Sequence, residues 1–236
     1  MKNNNWLKLE NLTVWYTKEH PVLTDFSIEL GSHEVVGLIG LNGAGKTTFM
    51  KTLSGLLTGY SVKEAICGEK KFSFRDKAFK MQRYTVFAEE HSFQYFTFRE
   101  YLAYVAASYK KELTDVEALI QGFHFEEFEN VLLKELSTGN LKKAYLITAF
   151  ALKPQLLLLD EPVNGLDFKS TEFLYQCMEH YKEYGTLLFS SHILESICLT
   201  SDRVLVLEEG RIRKAFEGAE VTTENIREVL SGEEFA

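Results

Sequence analysis

Eight consecutive residues, Gly40-Leu41-Asn42-Gly43-Ala44-Gly45-Lys46-Thr47, join closely spaced glycines to a terminal lysine and hydroxyl. This is the pattern of a phosphate-binding loop. Glycine lets the backbone wrap tightly enough for its N–H groups to point at phosphate oxygens. A helix starting at the end of the loop adds partial positive charge. In such a loop Lys46 reaches the terminal phosphates and Thr47 offers its hydroxyl to magnesium. Asn42, Gly43, Ala44, Gly45 and Thr48 complete the cradle. The flanks agree with the pattern: the apolar run Glu34 to Ile39 reads as a buried strand, and Lys46 to Leu57 as a helix.

Two further clusters carry chemistry. The apolar run Leu156 to Leu159 ends in Asp160-Glu161-Pro162. A carboxylate at the C-terminal edge of a parallel strand stands where α/β proteins bind ligands. There Asp160 is placed to hold magnesium, and Glu161 to orient or deprotonate an attacking water. His192 follows another apolar run, Thr186 to Phe189, and reaches the same edge, where it can donate a hydrogen bond to phosphate or water. The other histidines lack such placement. Ser137-Thr138-Gly139 opens a helix that stops before Pro154; serine is a favoured cap and the turn can hold an anion.

The elements that must position these residues follow from periodicity. Leu7, Leu9, Leu12, Val14 and Tyr16 mark β structure, and Val22 to Leu30 continues it, with Pro21 expected in the turn between. Tyr60 to Phe74 holds short strands. Arg99 to Tyr109 and Asp115 to Gln121 read as helices of a lobe lacking strand alternation, between Glu90 and Glu135. From Gln155 strands and helices alternate: Lys169 to Tyr184 and Ile193 to Leu199 are helical, Arg203 to Leu207 and Ile212 to Phe216 extended, and Thr223 caps a last short helix. Such alternation around apolar strands means an α/β fold.

Composition narrows the class. With 45% hydrophobic and 25% charged residues the chain is expected to be packed, not disordered, outside its ends. A net charge of -8 argues against nucleic acid as a partner. Cys67, Cys177 and Cys198 stand too far apart for a metal or redox motif, and read as reduced, mostly buried thiols of a cytosolic protein. The start, MKNNNWLKLE, lacks the apolar core of a signal peptide. The apolar run Ala144 to Leu152 falls short of the roughly 20 residues that span a bilayer.

Taken in order, these motifs resemble the nucleotide-binding domains of ABC transporters over about Trp6 to Phe216. Leu136-Ser137-Thr138-Gly139-Asn140 is similar to the family's signature loop, Asn164-Gly165-Leu166-Asp167 to its D-loop, and Ser190-Ser191-His192 to its H-switch. The resemblance implies an α/β P-loop NTPase (RecA-like) core with a mainly parallel sheet, an N-terminal antiparallel β subdomain and an inserted α-helical subdomain. It divides one ABC ATPase domain, 1–236, into core and β subdomain (about 1–88 and 152–217), helical subdomain with signature loop (about 89–151), and C-terminal helix and tail (218–236).

It further implies that Tyr16 stacks on adenine, with Trp15 as the alternative, and that ATP and Mg2+ are the cofactors. Two copies, or a copy and a close relative, would pair head to tail, each covering the other's ATP with Ser137, Thr138 and Gly139, and drive separate transmembrane permease subunits from the inner face of the membrane. Glu89, in Phe87-Ala88-Glu89-Glu90, stands where the family usually has a glutamine near metal and water, and resembles export-type subunits. Thr138 and Asn140 replace the usual glycine and glutamine. The aromatics Phe93, Tyr95, Phe96, Phe98 and Tyr101 either receive a partner helix or form the lobe's own core. The alternative function is a soluble ABC-type ATPase acting on ribosome or nucleic acid, whose tandem cassettes and cysteine clusters are not found in this sequence.

Overall fold

A computed structural model describes residues 5–89 and 91–231. Glu90 and the ends of the expected N-terminal segment and C-terminal tail lie outside the described residues. Two antiparallel strands come first, β1 (Asn5–Thr17) and β2 (His20–Gly31), joined by a turn at Lys18–Glu19. Leu7, Leu9, Leu12 and Val14 of β1 share one core with Leu23, Phe26, Ile28 and Leu30 of β2. The pairing slips between Leu9 and Leu12, where Asn11 takes a φ of 51°. Asparagine tolerates that conformation, and the bulge keeps both halves of β1 facing the core. Pro21 lies inside β2, opposite Trp15, and not in the turn. β2 is an edge strand, and proline, lacking an N–H, is accommodated on edges.

β3 (Val35–Ile39) enters a second sheet, and α1 (Lys46–Leu53) leaves the glycine loop. The helix ends before the expected Leu57. Gly55 turns with φ 71°, and a Cβ there would meet the Phe74 carbonyl oxygen at 2.5 Å. Short strands β4 (Tyr60–Ser61), β5 (Glu64–Cys67) and β6 (Lys70–Lys71) complete the first sheet. Next come α2 (Lys77–Gln82) and β7 (Arg83–Val86), neither anticipated. The lobe follows with α3 (Phe98–Tyr109) and α4 (Val116–Gly122), one-turn 3-10 segments at Glu126–Phe128 and Leu133–Glu135, and α5 (Thr138–Leu152). Thr97 and Glu100 form a reciprocal capping box at the start of α3.

The chain then runs through β8 (Leu156–Asp160), α6 (Phe168–His180), β9 (Thr186–Ser191), α7 (Leu194–Thr200), β10 (Arg203–Glu208), β11 (Arg211–Glu217) and α8 (Thr223–Ser231). Residues 181–183, expected as the end of α6, tighten into a 3-10 turn. The second sheet has the order β11-β10-β3-β9-β8-β7, parallel except for the β11 hairpin. β3, β8 and β9 lack sequence alternation because both faces are covered. Val36, Leu38, Leu156, Leu158 and Leu188 face the first sheet and α1. Ile39, Leu157, Leu159, Leu187 and Phe189 face the lobe and α6 to α8.

The order β3-β9-β8 has a direct consequence. It sets side by side the C-terminal ends that lead to the glycine loop, to His192 and to Asp160. The thiols depart from expectation: Cys67, Cys177 and Cys198 are free but only half-buried. Burial pushes the Cys177 thiol up to about 12, so it is not a thiolate near neutrality. No helix among the described residues is long and apolar enough to cross a membrane.

Candidate functional site

The glycine loop is held in shape by positions only glycine fills. Gly45 caps α1 with a φ of 111°, and a Cβ there would stand 2.6 Å from Leu23 Cδ2. The next residue, Lys46, is 7% exposed. Its Nζ donates to the carbonyl oxygens of Gly40 at 2.7 Å and Leu41 at 3.4 Å. Burial pushes the ammonium pKa down, while the Glu161 and Asp160 carboxylates pull it up. Asn42 and Gly43 face solvent, whereas Ala44 and Thr48 are buried. Tyr16 is 58% exposed, its hydroxyl 3.4 Å from Thr48 Oγ1, so its ring stands beside the loop. Trp15 packs elsewhere: its backbone N donates to Gly59 O, and a Cβ on Gly59 would lie 2.9 Å from the indole Nε1.

Thr47 and Asp160 meet across the loop. Thr47 Oγ1 lies 2.9 Å from Asp160 Oδ2 and 3.2 Å from Oδ1. Asp160 is almost fully buried and also accepts from Ser190 Oγ at 2.6 Å. These are hard oxygen donors, the kind magnesium takes. Among the described residues no cluster of three or more His, Cys, Asp and Glu side chains is placed for a metal. The donor set therefore suits an ion that also takes ligands from phosphate or water.

Glu161 follows with a φ of 48°, uncommon for glutamate. His192 Nδ1 is 2.8 Å from Glu161 Oε2. A carboxylate only accepts, so Nδ1 carries the proton of this bond. Nε2 can then donate only from the doubly protonated ring. Thr47, Asp160, Ser190, Glu161 and His192 thus form one hydrogen-bonded group at the sheet edge, with Lys46 beside it.

The signature-like turn lies apart. Ser137 caps α5 by accepting from Asn140 N at 3.3 Å, and Thr138 is the first helical residue. Ser137 and Thr138 are exposed. A Cβ on Gly139 would come within 2.5 Å of the Gly165 carbonyl oxygen. Among the described residues no hydrogen bond or ion pair joins residues 137–139 to residues 40–48. Two buried lysines tie α5 to other loops. Lys143 pairs with Asp167 at 2.7 Å. Lys142 donates to the carbonyls of Phe87 at 2.9 Å and Ala88 at 3.1 Å. Glu89 is exposed, lines a cavity of about 460 Å³ with His91, Gln94 and Thr138, and makes no hydrogen bond to Thr47 or Asp160. The aromatics divide: Phe98 and Tyr101 are core, while Tyr95 is 76% exposed and Phe93 borders solvent.

Sequence reasoning named Ser190 only within the H-switch-like run, without a role of its own, and overlooked Lys142 and Lys143. A hydroxyl in the apolar run of β9 was the one available signal for the first; nothing local marks the lysines as buried.

The sequence profile of the family described as ABC transporter matches residues 23–164. AlbC of Bacillus subtilis (strain 168), a provisionally named ABC transporter ATP-binding protein, is 35% identical over 225 residues, covering 92% of this chain and 93% of that protein. EcsA of the same organism, an ABC-type transporter ATP-binding protein, is 30% identical over 212 residues, covering 88% and 85%. A solved ATP-binding subunit of an ABC transporter superposes with a TM-score of 0.80 at 27% identity, covering 90% of each chain. With its P-loop, its carboxylate pair and these relatives, the chain belongs to the ABC transporter family of ATP-binding proteins, which are ATPases.

Proposed function

We propose that this chain powers an exporter whose membrane path is formed by other chains, by closing head to tail with a second ATP-binding subunit around two ATPs at the inner face of the membrane. The observation that carries the reading is the connected group at the sheet edge, in which Thr47 meets Asp160 at 2.9 Å and His192 meets Glu161 at 2.8 Å. In this reading the backbone of Asn42 to Thr48 cradles the phosphates and Tyr16 stacks on adenine. Lys46 leaves its loop carbonyls for the β- and γ-phosphates. Thr47 and Asp160 would hold Mg2+, which would neutralise phosphate charge and polarise the γ-phosphoryl group.

Glu161 accepts a proton from water as its oxygen bonds to the γ-phosphorus. The bond from that phosphorus to the bridging oxygen breaks, and ADP leaves. His192 holds the second oxygen of Glu161, keeping the free one for water. Ser137, Thr138 and Gly139 serve the partner's nucleotide; the exposure of Ser137 and Thr138, and the lack among the described residues of any hydrogen bond from this turn to residues 40–48, support that use. Glu89 reaches metal or water only if the loop after β7 moves toward the site. The export direction rests on Glu89 standing in place of glutamine. The subdomain boundaries near residues 88 and 152 are part of the same reading.

Replacing Glu161 tests it. Glu161→Gln keeps ATP affinity but lowers phosphate release by at least about a hundred-fold, since a positioned base contributes on the order of 10²–10⁴. An unchanged rate removes Glu161 from the role.

A further inference from the structure

β9 ends in two serines whose side chains point to opposite faces of the sheet. Ser191 shapes the turn that carries His192: its Oγ accepts from Ile193 N at 3.0 Å and meets Ser196 Oγ at 3.0 Å. Ser190 is engaged differently. It is fully buried and pairs in register with Asp160 across β9 and β8. Its hydroxyl donates to Asp160 Oδ1 at 2.6 Å and accepts from Glu161 N at 3.0 Å. One side chain therefore spends its proton on the first carboxylate and its lone pair on the backbone of the second. The residues before it in the strand, Leu187, Leu188 and Phe189, are apolar, and a buried hydroxyl among them is costly unless bonded.

We propose that Ser190 is the positioning residue of the Asp160–Glu161 pair. By occupying Oδ1 it fixes the rotation of the Asp160 carboxylate, so that Oδ2 turns toward Thr47 and a divalent cation. By accepting from Glu161 N it anchors the left-handed backbone that aims the Glu161 carboxylate at His192. The proposal deepens the ATPase reading and rests on it.

Ser190→Ala deletes the hydroxyl with little change in volume. The variant and wild type are loaded with a non-hydrolysable ATP analogue and titrated with Mn2+, free Mn2+ being read by paramagnetic resonance. Mn2+ affinity falls about ten-fold, the size of one hydrogen bond to a charged group. Turnover at saturating ATP falls to a similar degree, while analogue binding in EDTA is unchanged because the cradle does not touch Ser190. Ser190→Thr keeps the hydroxyl and restores Mn2+ affinity. Wild-type Mn2+ affinity in Ser190→Ala, or threonine no better than alanine, overturns the proposal. If the alanine variant folds poorly, Ser190→Cys, a weaker donor, carries the same test with the same outcomes. A wild-type protein that turns over no ATP counts against the proposed function and leaves the Mn2+ comparison to judge Ser190 by itself.

Discussion

Lys46 illustrates how a single residue is prepared for a ligand. Burial disfavours its charge, two carboxylates favour it, and the ammonium donates to the Gly40 carbonyl at 2.7 Å. A triphosphate offers the ammonium stronger, charge-assisted bonds than a peptide oxygen. Lys46→Ala should weaken ATP affinity by about ten-fold or more, as loss of one charged hydrogen bond implies, and turnover further. Titration with a fluorescent nucleotide checks this, and normal affinity would count against the cradle. At this scale the sequence was highly legible where spacing itself encodes geometry, as in Gly40 to Thr47 or Asp160-Glu161. It gave Ser190 no role of its own, because a hydroxyl gains meaning only from the neighbour that strand register supplies. It could not choose between Tyr16 and Trp15, since alternation puts adjacent side chains on opposite faces without saying which face meets the loop.

Among elements, α5 shows how a helix can join distant loops. Asp167 caps α6 through Ser170 N and pairs with buried Lys143. The Lys143 hydrogen bond, then the Ser170 N–H, holds its carboxyl well below the ordinary 3.8. A depressed carboxyl stabilises the fold above its unfolded value, and that contribution fades as pH falls through the folded one. Asp167→Asn keeps a capping side chain but leaves Lys143 without its counter-charge. It should cost about 1–2 kcal/mol at pH 7, discounted because Asp167 is half exposed. The difference from wild type should narrow below about pH 4, as the unfolded carboxyl becomes protonated. Urea denaturation at both pH values checks it, and a gap that persists undiminished at pH 2 would exclude the ion pair as its source. Elements buried on both faces, such as β3 and β8, were plain in the sequence. α2 was not, because a six-residue helix burying only Phe79 shows no periodic stripe.

For the molecule as a whole, the separation of the signature turn from the P-loop makes a distinct prediction. If each ATP is enclosed by two copies, Lys46→Ala and Ser137→Arg variants, each inactive by itself, should regain part of the lost turnover when mixed. The mixed pair contains one intact P-loop facing one intact signature turn, because in a two-fold pair each copy's P-loop meets the other's signature turn. Phosphate release from the mixture checks it; no recovery would exclude the head-to-tail arrangement. A sequence names both halves of such a site, but the relation between copies is not written in either half.

The two lysines of α5 have a mechanical corollary. Lys142 holds the strand of chain leading to Glu89, Lys143 holds Asp167, and Gly139 rests against Gly165. The helix is thus a crossbar fastened at neighbouring points to two loops. Displacing the chain near residue 88 therefore strains the Lys142 contacts on the same helix turn that carries the Lys143–Asp167 pair.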